Sequence, residues 1–254
     1  MELQKEVILA TAFVFHILLA LSLVQPAKAT SQVNILSHMY FVDYNGFCHV
    51  VGEVENTGAQ AIESVKITAT FYDSNDIMIT SEFNYTYLKV LLEGRKSPFE
   101  IILHDTTQSE LVDHYSLSVD FSATQTLPLG LRILSDSWYV DGGGWLHITG
   151  EVKNTEYQTA TNVKIVATFY DDVGNVLDCE SSKVHDLASN QSAPFEILLT
   201  MTGTVPSVVS YALTAESIQY AIIPELSMIV LLPLFMILAS IVIVIKRTTI
   251  HHLR

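Results

Sequence analysis

Histidines beside carboxylates are the residues of this chain best suited to chemistry. His49 precedes Glu53 by four positions, and His147 precedes Glu151 by the same interval. Each pair falls on the polar face of a strand, where one His and one Glu supply two ligands, whereas a metal centre needs three or four converging ones. The adjacent pairs His104-Asp105 and His185-Asp186 lack an activated Ser or Cys to work on. Neither a Gly-x-Ser-x-Gly elbow nor a phosphate-binding glycine loop occurs. Asp73, Asn75 and Asp76, with Asp171, Asp172, Asn175 and Asp178, make oxygen-rich turns. Calcium would need about six to eight such oxygens, and the EF-hand spacing is missing. Asp and Asn also favour turns simply because they bond to their own backbone. Cys48 and Cys179 occupy different settings and give no disulfide framework, so both read as buried thiols. The expectation is no catalytic residue, no metal ligand and no cofactor.

The elements that carry these residues occur twice. Val51-Gly52-Glu53-Val54-Glu55-Asn56-Thr57 returns as Thr149-Gly150-Glu151-Val152-Lys153-Asn154-Thr155, and Val65 to Asp73 returns as Val163 to Asp171, both at an offset of 98. Pro98-Phe99-Glu100-Ile101 returns as Pro194-Phe195-Glu196-Ile197 at an offset of 96. The repeats span residues 33–123 and 131–218, with a short linker at 124–130. Within them apolar and polar residues alternate: Leu146, Ile148, Gly150 and Val152 on one face, then Val163, Ile165, Ala167 and Phe169, with Lys164, Val166, Thr168 and Tyr170 facing water. Alternation of period two means strands with one buried face. Turn signals at Asp43-Tyr44-Asn45-Gly46, Asp73 to Asp76, Asp141 to Gly144 and Asp171 to Asn175 separate them. The fold class expected is all-β: two tandem antiparallel β-sandwiches, flanked by an N-terminal signal peptide and a C-terminal transmembrane helix.

Gly-Glu-Val-x-Asn-Thr, Val-Lys-Ile-x-Ala-Thr-Phe-Tyr-Asp, Pro-Phe-Glu-Ile and Tyr-x-Leu, in that order and twice, resemble the FxLYD domain. That resemblance covers both repeats. It implies an immunoglobulin-like sandwich on exported prokaryotic proteins and no reaction.

The two ends are apolar. Val7 to Val24 carries no charge and is followed by Ala27-Lys28-Ala29, a small-x-small site, so residues 1–29 read as a signal peptide cleaved after Ala29. Leu226 to Ile245 is uncharged over 20 residues. At about 1.5 Å per residue, a helix of that length crosses a bilayer core of about 30 Å. Lys246 and Arg247 follow, which places the tail 246–254 in the cytoplasm and the repeats outside. Pro224-Glu225-Leu226 ahead of the span resembles the Pro-Glu-Phe archaeal sorting signal, with Leu226 where that family has Phe. The resemblance implies recognition by an archaeosortase and re-anchoring at the surface.

The formal net charge is −14, and residues 30–221 hold 24 Asp or Glu against 8 Lys or Arg, 8 − 24 = −16. Such a surface repels nucleic acid. Asn84-Tyr85-Thr86 and Asn190-Gln191-Ser192 are glycosylation sequons on the exported side. The chain thus reads as a non-enzymatic archaeal cell-surface glycoprotein. It is anchored by a single membrane pass, displays two domains outside the cell and meets a protein or glycan partner there. The alternative is an accessory subunit of a membrane transport or secretion complex.

Overall fold

The computed structural model describes residues 32–199 and 208–224. The segments read as signal peptide (1–29), membrane span (226–245) and cytoplasmic tail (246–254), and Glu225 and Leu226 of the sorting motif, lie outside the described residues. Among the described residues no helix is long and apolar enough to cross a membrane.

The described chain is all-β, with strands paired almost entirely antiparallel. The first half contains β1 (Val33–Val42), β2 (Cys48–Asn56), β3 (Ile62–Tyr72), β4 (Met78–Tyr85), β5 (Val90–Leu91) and β6 (Lys96–Leu103). A one-turn helix α1 (Thr106–Ser109) and β7 (His114–Ala123) complete it. Sheet β1-β2-β6 packs on a second sheet in which β3 pairs with β4, β5 and β7. The second half contains β8 (Leu129–Val140), β9 (Leu146–Asn154), β10 (Lys164–Tyr170), β11 (Val176–Lys183), β12 (Ser192–Leu199), β13 (Ser210–Glu216) and β14 (Ala221–Ile222). β14 pairs antiparallel with β13 and parallel with β8, which joins the two layers of this half into one continuous sheet. β8 begins inside the segment read as linker, and β14 lies past residue 218.

Each half has its own core. Phe71, Phe99, Ile62, Ile67 and Ile101 fill the first, and Phe169, Ile148, Ile165, Leu131 and Leu187 fill the second. Burying each such side chain contributes about 1.5–3 kcal/mol. The repeated motifs account for this packing. At Gly52 an added Cβ would sit 2.6 Å from the Phe99 ring and 2.7 Å from the Ser37 carbonyl; Gly150 is crowded the same way by Phe195 and Ser135. The motif glycine is therefore the hollow that receives the motif phenylalanine from the neighbouring strand. The motif asparagines Asn56 and Asn154 are fully buried and staple the loops that follow them.

The four turn signals fold identically. The leading Asp43, Asp73, Asp141 and Asp171 each accept, through Oδ1, the N–H groups two and four residues on, at 2.7–3.0 Å. The residue three positions on adopts a positive φ: Gly46, Asp76, Gly144 and Gly174. These oxygen-rich turns are thus self-satisfied hairpin loops.

One expectation is overturned. Val166 and Thr168, read as water-facing, are buried (0% and 3% exposed), and so are Val51 and Glu53 on the outward side of β2. The cause is the other repeat: the outer face of β10-β11-β13 lies against the outer face of β1-β2-β6 and the segment 87–96. The sandwiches are stacked, and the stack removes from water two faces that each repeat alone would leave wet.

Candidate functional site

Both repeats build the same polar cluster at one end of the sandwich. His49 does not pair with Glu53. Its Nδ1 lies 2.8 Å from Glu100 Oε1, and its Nε2 lies 3.6 Å from Asp43 Oδ2. His147 is held likewise by Glu196 (2.8 Å) and Asp141 (3.3 Å) rather than by Glu151. Strand register explains the change, because His49 is opposite Ile102 and next to Glu100 on β6, while the turn swings Asp43 back over the ring. Phe41 and Tyr139 stack on the two imidazoles at 4.9 and 4.7 Å. Burial disfavours the charged form of His49, but the hydrogen bond and charge of Glu100, with Asp43, outweigh it and raise its pKa. The hydrogen bond to Glu196 raises that of His147. The arrangement favours the protonated imidazole between two carboxylates and binds turn to strand. Among the described residues no group of three or more His, Cys, Asp or Glu is placed to hold a metal ion.

The remaining sequence candidates are also committed to the fold. Asp105 caps α1 through the Gln108 N–H, and Asp186 accepts the N–H of Asn162, which has positive φ. His104 and His185 are exposed, and His104 packs edge-on against Phe47. Cys48 and Cys179 are both free and buried. Asn84 donates through Nδ2 to the Glu100 carbonyl, and the Thr86 hydroxyl of its sequon is buried. Asn190 stands exposed on a turn with positive φ.

The site that sequence reasoning missed is the junction. Glu53 and Glu216 are buried there. Tyr170 Oη donates to Glu53 at 2.8 Å, Lys164 Nζ donates to the Tyr87 carbonyl, and the Val176 N–H donates to Ser37 Oγ at 3.1 Å. Arg95 reaches across to Glu216 at 3.5 Å and to the Ala215 carbonyl at 2.7 Å. A signal for the junction was present in the repeat itself. Met39 and Val51 face each other on the covered sheet, where the second repeat has Ser137 and Thr149, hydrogen-bonded at 3.2 Å. Val166 and Cys179 on the covered face of β10 and β11 correspond to Thr68 and Ser81, of which Ser81 is hydrogen-bonded to Thr70 at 3.0 Å. At these four positions apolar residues stand on the covered faces and hydroxyls on their free counterparts.

Asp178 sits at this junction among Glu100, Glu180 and His49. Burial, then the charges of Glu100 and Glu180, push its pKa up to about 7. Its ionisation therefore opposes folding as pH rises from the ordinary value of 3.8 towards 7. His49 and His147, raised above 6.5, contribute stability present below that pH and lost as pH climbs through their folded values. Asp43 and Asp141 are lowered below 3.8: for Asp43 burial opposes the backbone and Asn45 hydrogen bonds that lower it, and for Asp141 the Trp145 N–H leads. Their stabilisation is lost as pH falls through those lowered values. Thermal unfolding should thus give its highest Tm between pH 3.8 and 6.5. Asp178→Asn should raise stability at alkaline pH by about 2–4 kcal/mol and flatten the fall between pH 3.8 and 7. A Tm against pH series on both proteins checks this; an unchanged slope in the variant would remove Asp178 as the cause.

A scan against protein-family models finds no match, and a search of curated proteins finds none. Among solved structures, the chain is similar to a Bacteroides uniformis beta-glucuronidase 2 at 12% identity and a TM-score of 0.26, covering 76% of this chain and 31% of that one. It is similar to red sea bream transglutaminase at 8% identity and a TM-score of 0.22, over 77% of this chain and 30% of that one. It is also similar to a GH2 beta-galacturonidase from Eisenbergiella tayi at 12% identity and a TM-score of 0.22, over 76% and 42%. The chain spans about a third of the length of the first of these.

Proposed function

We propose that this chain is a non-enzymatic surface protein whose two immunoglobulin-like, FxLYD-type sandwiches form one rigid outward-facing unit on a single membrane anchor, presenting loops and sheet faces to a protein or glycan partner. The observation that carries the reading is the junction. A buried ion pair and hydrogen bonds from β10, β11 and β13 to the first repeat hold the two sandwiches in one orientation, as a stalk requires. Binding surfaces work best on such a scaffold, because loops held by rigid sheets lose little freedom when they engage.

The position of the ends supports the same reading. Pro224 is exposed and immediately precedes Glu225 and the uncharged run, so the second repeat would stand directly on the bilayer surface. Pro224-Glu225-Leu226 lies in the gap where a processing enzyme would cut. Of the two sequons, Asn190 is the better glycan acceptor, because it stands exposed with its Nδ2 only 3.4 Å from the neighbouring Ser189 hydroxyl, while that of Asn84 is tied to the Glu100 carbonyl of another strand at 2.9 Å.

The test is protease treatment of intact cells that express the full chain, with intact-mass analysis of the purified product. Loss of the repeats from intact cells, a mass lacking residues 1–29 and isolation as a lone protein are the expected results. Repeats that stay protected until the cells are lysed would overturn the reading. Recovery in fixed stoichiometry with a membrane transporter or secretion subunit would replace it with the accessory role.

A further inference from the structure

Basic residues are scarce in this protein, yet they gather in one place. Lys89, Arg95, Lys96, Lys164 and Lys183, 5 of the 8 Lys and Arg residues between positions 30 and 221, line the clefts at the junction. The cleft beside the linker has a volume of about 440 Å³ and is walled by Lys89, Lys164 and Lys183, by the carboxylates Glu63 and Glu216, and by Thr124 and Gln125 of the linker.

The two repeats differ here at one register. In the first, Lys66 is opposite Tyr85 on one side and Asp120 on the other, and Asp120 neutralises it at 3.7 Å. In the second, Lys164 is opposite Lys183, with Glu216 in the place of Asp120. Like charges directly opposed across strands destabilise a sheet. Glu216 acts on Lys164 only through space and makes no direct ion pair with it as Asp120 does with Lys66, because its carboxylate turns to Arg95 and to the N–H groups of Lys89 and Val90, at 2.5 and 3.5 Å. At Lys164 burial lowers the pKa most, Glu216 pulls it back up, and Lys183 adds a smaller push downward. Lys89 adds a third ammonium from the other repeat, and neither it nor Lys183 has a side-chain hydrogen bond or ion pair among the described residues. Three lysines thus line a cavity large enough for a small molecule, with linker residues beside them, and Lys164 Nζ is already turned to the Tyr87 carbonyl. Screening over about 8 Å at physiological ionic strength separates them from the acidic surface elsewhere.

We propose that this cleft is a binding site for a small oxyanion, a molecule bearing a carboxylate, sulfate or phosphate group, clamped between the repeats by Lys89, Lys164 and Lys183. The bound anion supplies the counter-charge that Asp120 supplies in the first repeat. Because it touches both sandwiches and the linker, it also tightens the junction. The proposal goes beyond the display function above and does not depend on which side of a membrane the repeats occupy.

The test is thermal unfolding of the purified full-length chain near neutral pH with sodium phosphate, sodium sulfate or sodium succinate, each against sodium chloride at matched ionic strength. At least one should raise Tm by several degrees more than chloride, with half-saturation in the millimolar range, since a ligand that binds only the folded state stabilises it. Which salt acts tells phosphate, sulfate and carboxylate sources apart. Lys183→Gln should weaken the response at least tenfold, while Lys153→Gln, away from the cleft, should keep it. Without added anion, Lys183→Gln should unfold at an equal or higher temperature than the parent, because it removes a like-charge pair. Should that variant fold poorly, Lys89→Gln reads the same loss. Equal responses to all salts, or a response that survives Lys183→Gln, would overturn the site.

Discussion

Glu216→Ala should destabilise the chain by about 3–5 kcal/mol, the cost of leaving a buried charge without its partner. Arg95 and Glu216 side chains are only 9% and 7% exposed. The guanidinium also donates to the Val90 carbonyl at 2.8 Å and to the Ala215 carbonyl at 2.7 Å. Truncating Glu216 therefore strands a positive charge among carbonyls and leaves the N–H groups of Lys89 and Val90 without their acceptor. For a domain pair of this size the loss corresponds to a fall in Tm of roughly 10 °C or more. Hydrogen exchange should show the loss concentrated in segment 87–96 and in β13, the elements the pair joins. The double variant Arg95→Met with Glu216→Leu should recover most of the stability, because well-packed apolar residues replace buried ion pairs at little cost. A single variant within about 1 kcal/mol of the parent would mean the pair is a surface contact.

Asn154→Ala should cost about 2–4 kcal/mol, and Asn56→Ala about the same, as expected when a buried hub leaves several polar groups unpaired. Asn154 Nδ2 donates to the carbonyls of Gln158 (2.7 Å) and Leu187 (3.0 Å), and its Oδ1 accepts the Glu156 N–H at 2.9 Å. Asn56 makes the matching bonds to Gln60, Leu91 and Gly58. Asp should be no better than Ala at either position, since a carboxylate would face two carbonyl oxygens with nothing to donate. Denaturant midpoints for the four variants decide the matter. If Asp matched Asn, the assignment of Nδ2 as the donor would be wrong.

These two predictions differ in how far the sequence foretold them. The asparagines lie in a motif that occurs twice, and alternation along β9 and β10 placed the core residues Leu146, Ile148, Val152, Ile165, Ala167 and Phe169 correctly. Period two records only which side a residue takes in its own strand. It cannot say what will cover that side, so Val166 and Thr168 read as wet although the other repeat buries them. The histidine partners failed for a related reason. Glu53 is close to His49 in sequence, but Glu100, 51 positions away, is brought beside it by register. What remained legible, had the repeats been compared residue by residue, was the replacement of hydroxyls by apolar groups at Met39, Val51, Val166 and Cys179.

The same replacement limits how many sandwiches can assemble. The junction joins unlike surfaces, so each repeat still exposes the surface its sibling has used. A head-to-tail contact of this kind has no symmetry to close it and would in principle add copies without end, as filaments do. The Ser137–Thr149 and Thr70–Ser81 hydroxyl pairs stand at the two growing ends and keep them wetted. Where the covered faces carry Met39, Val51, Val166 and Cys179, four small hydroxyl side chains thus give a further sheet nothing apolar to bury.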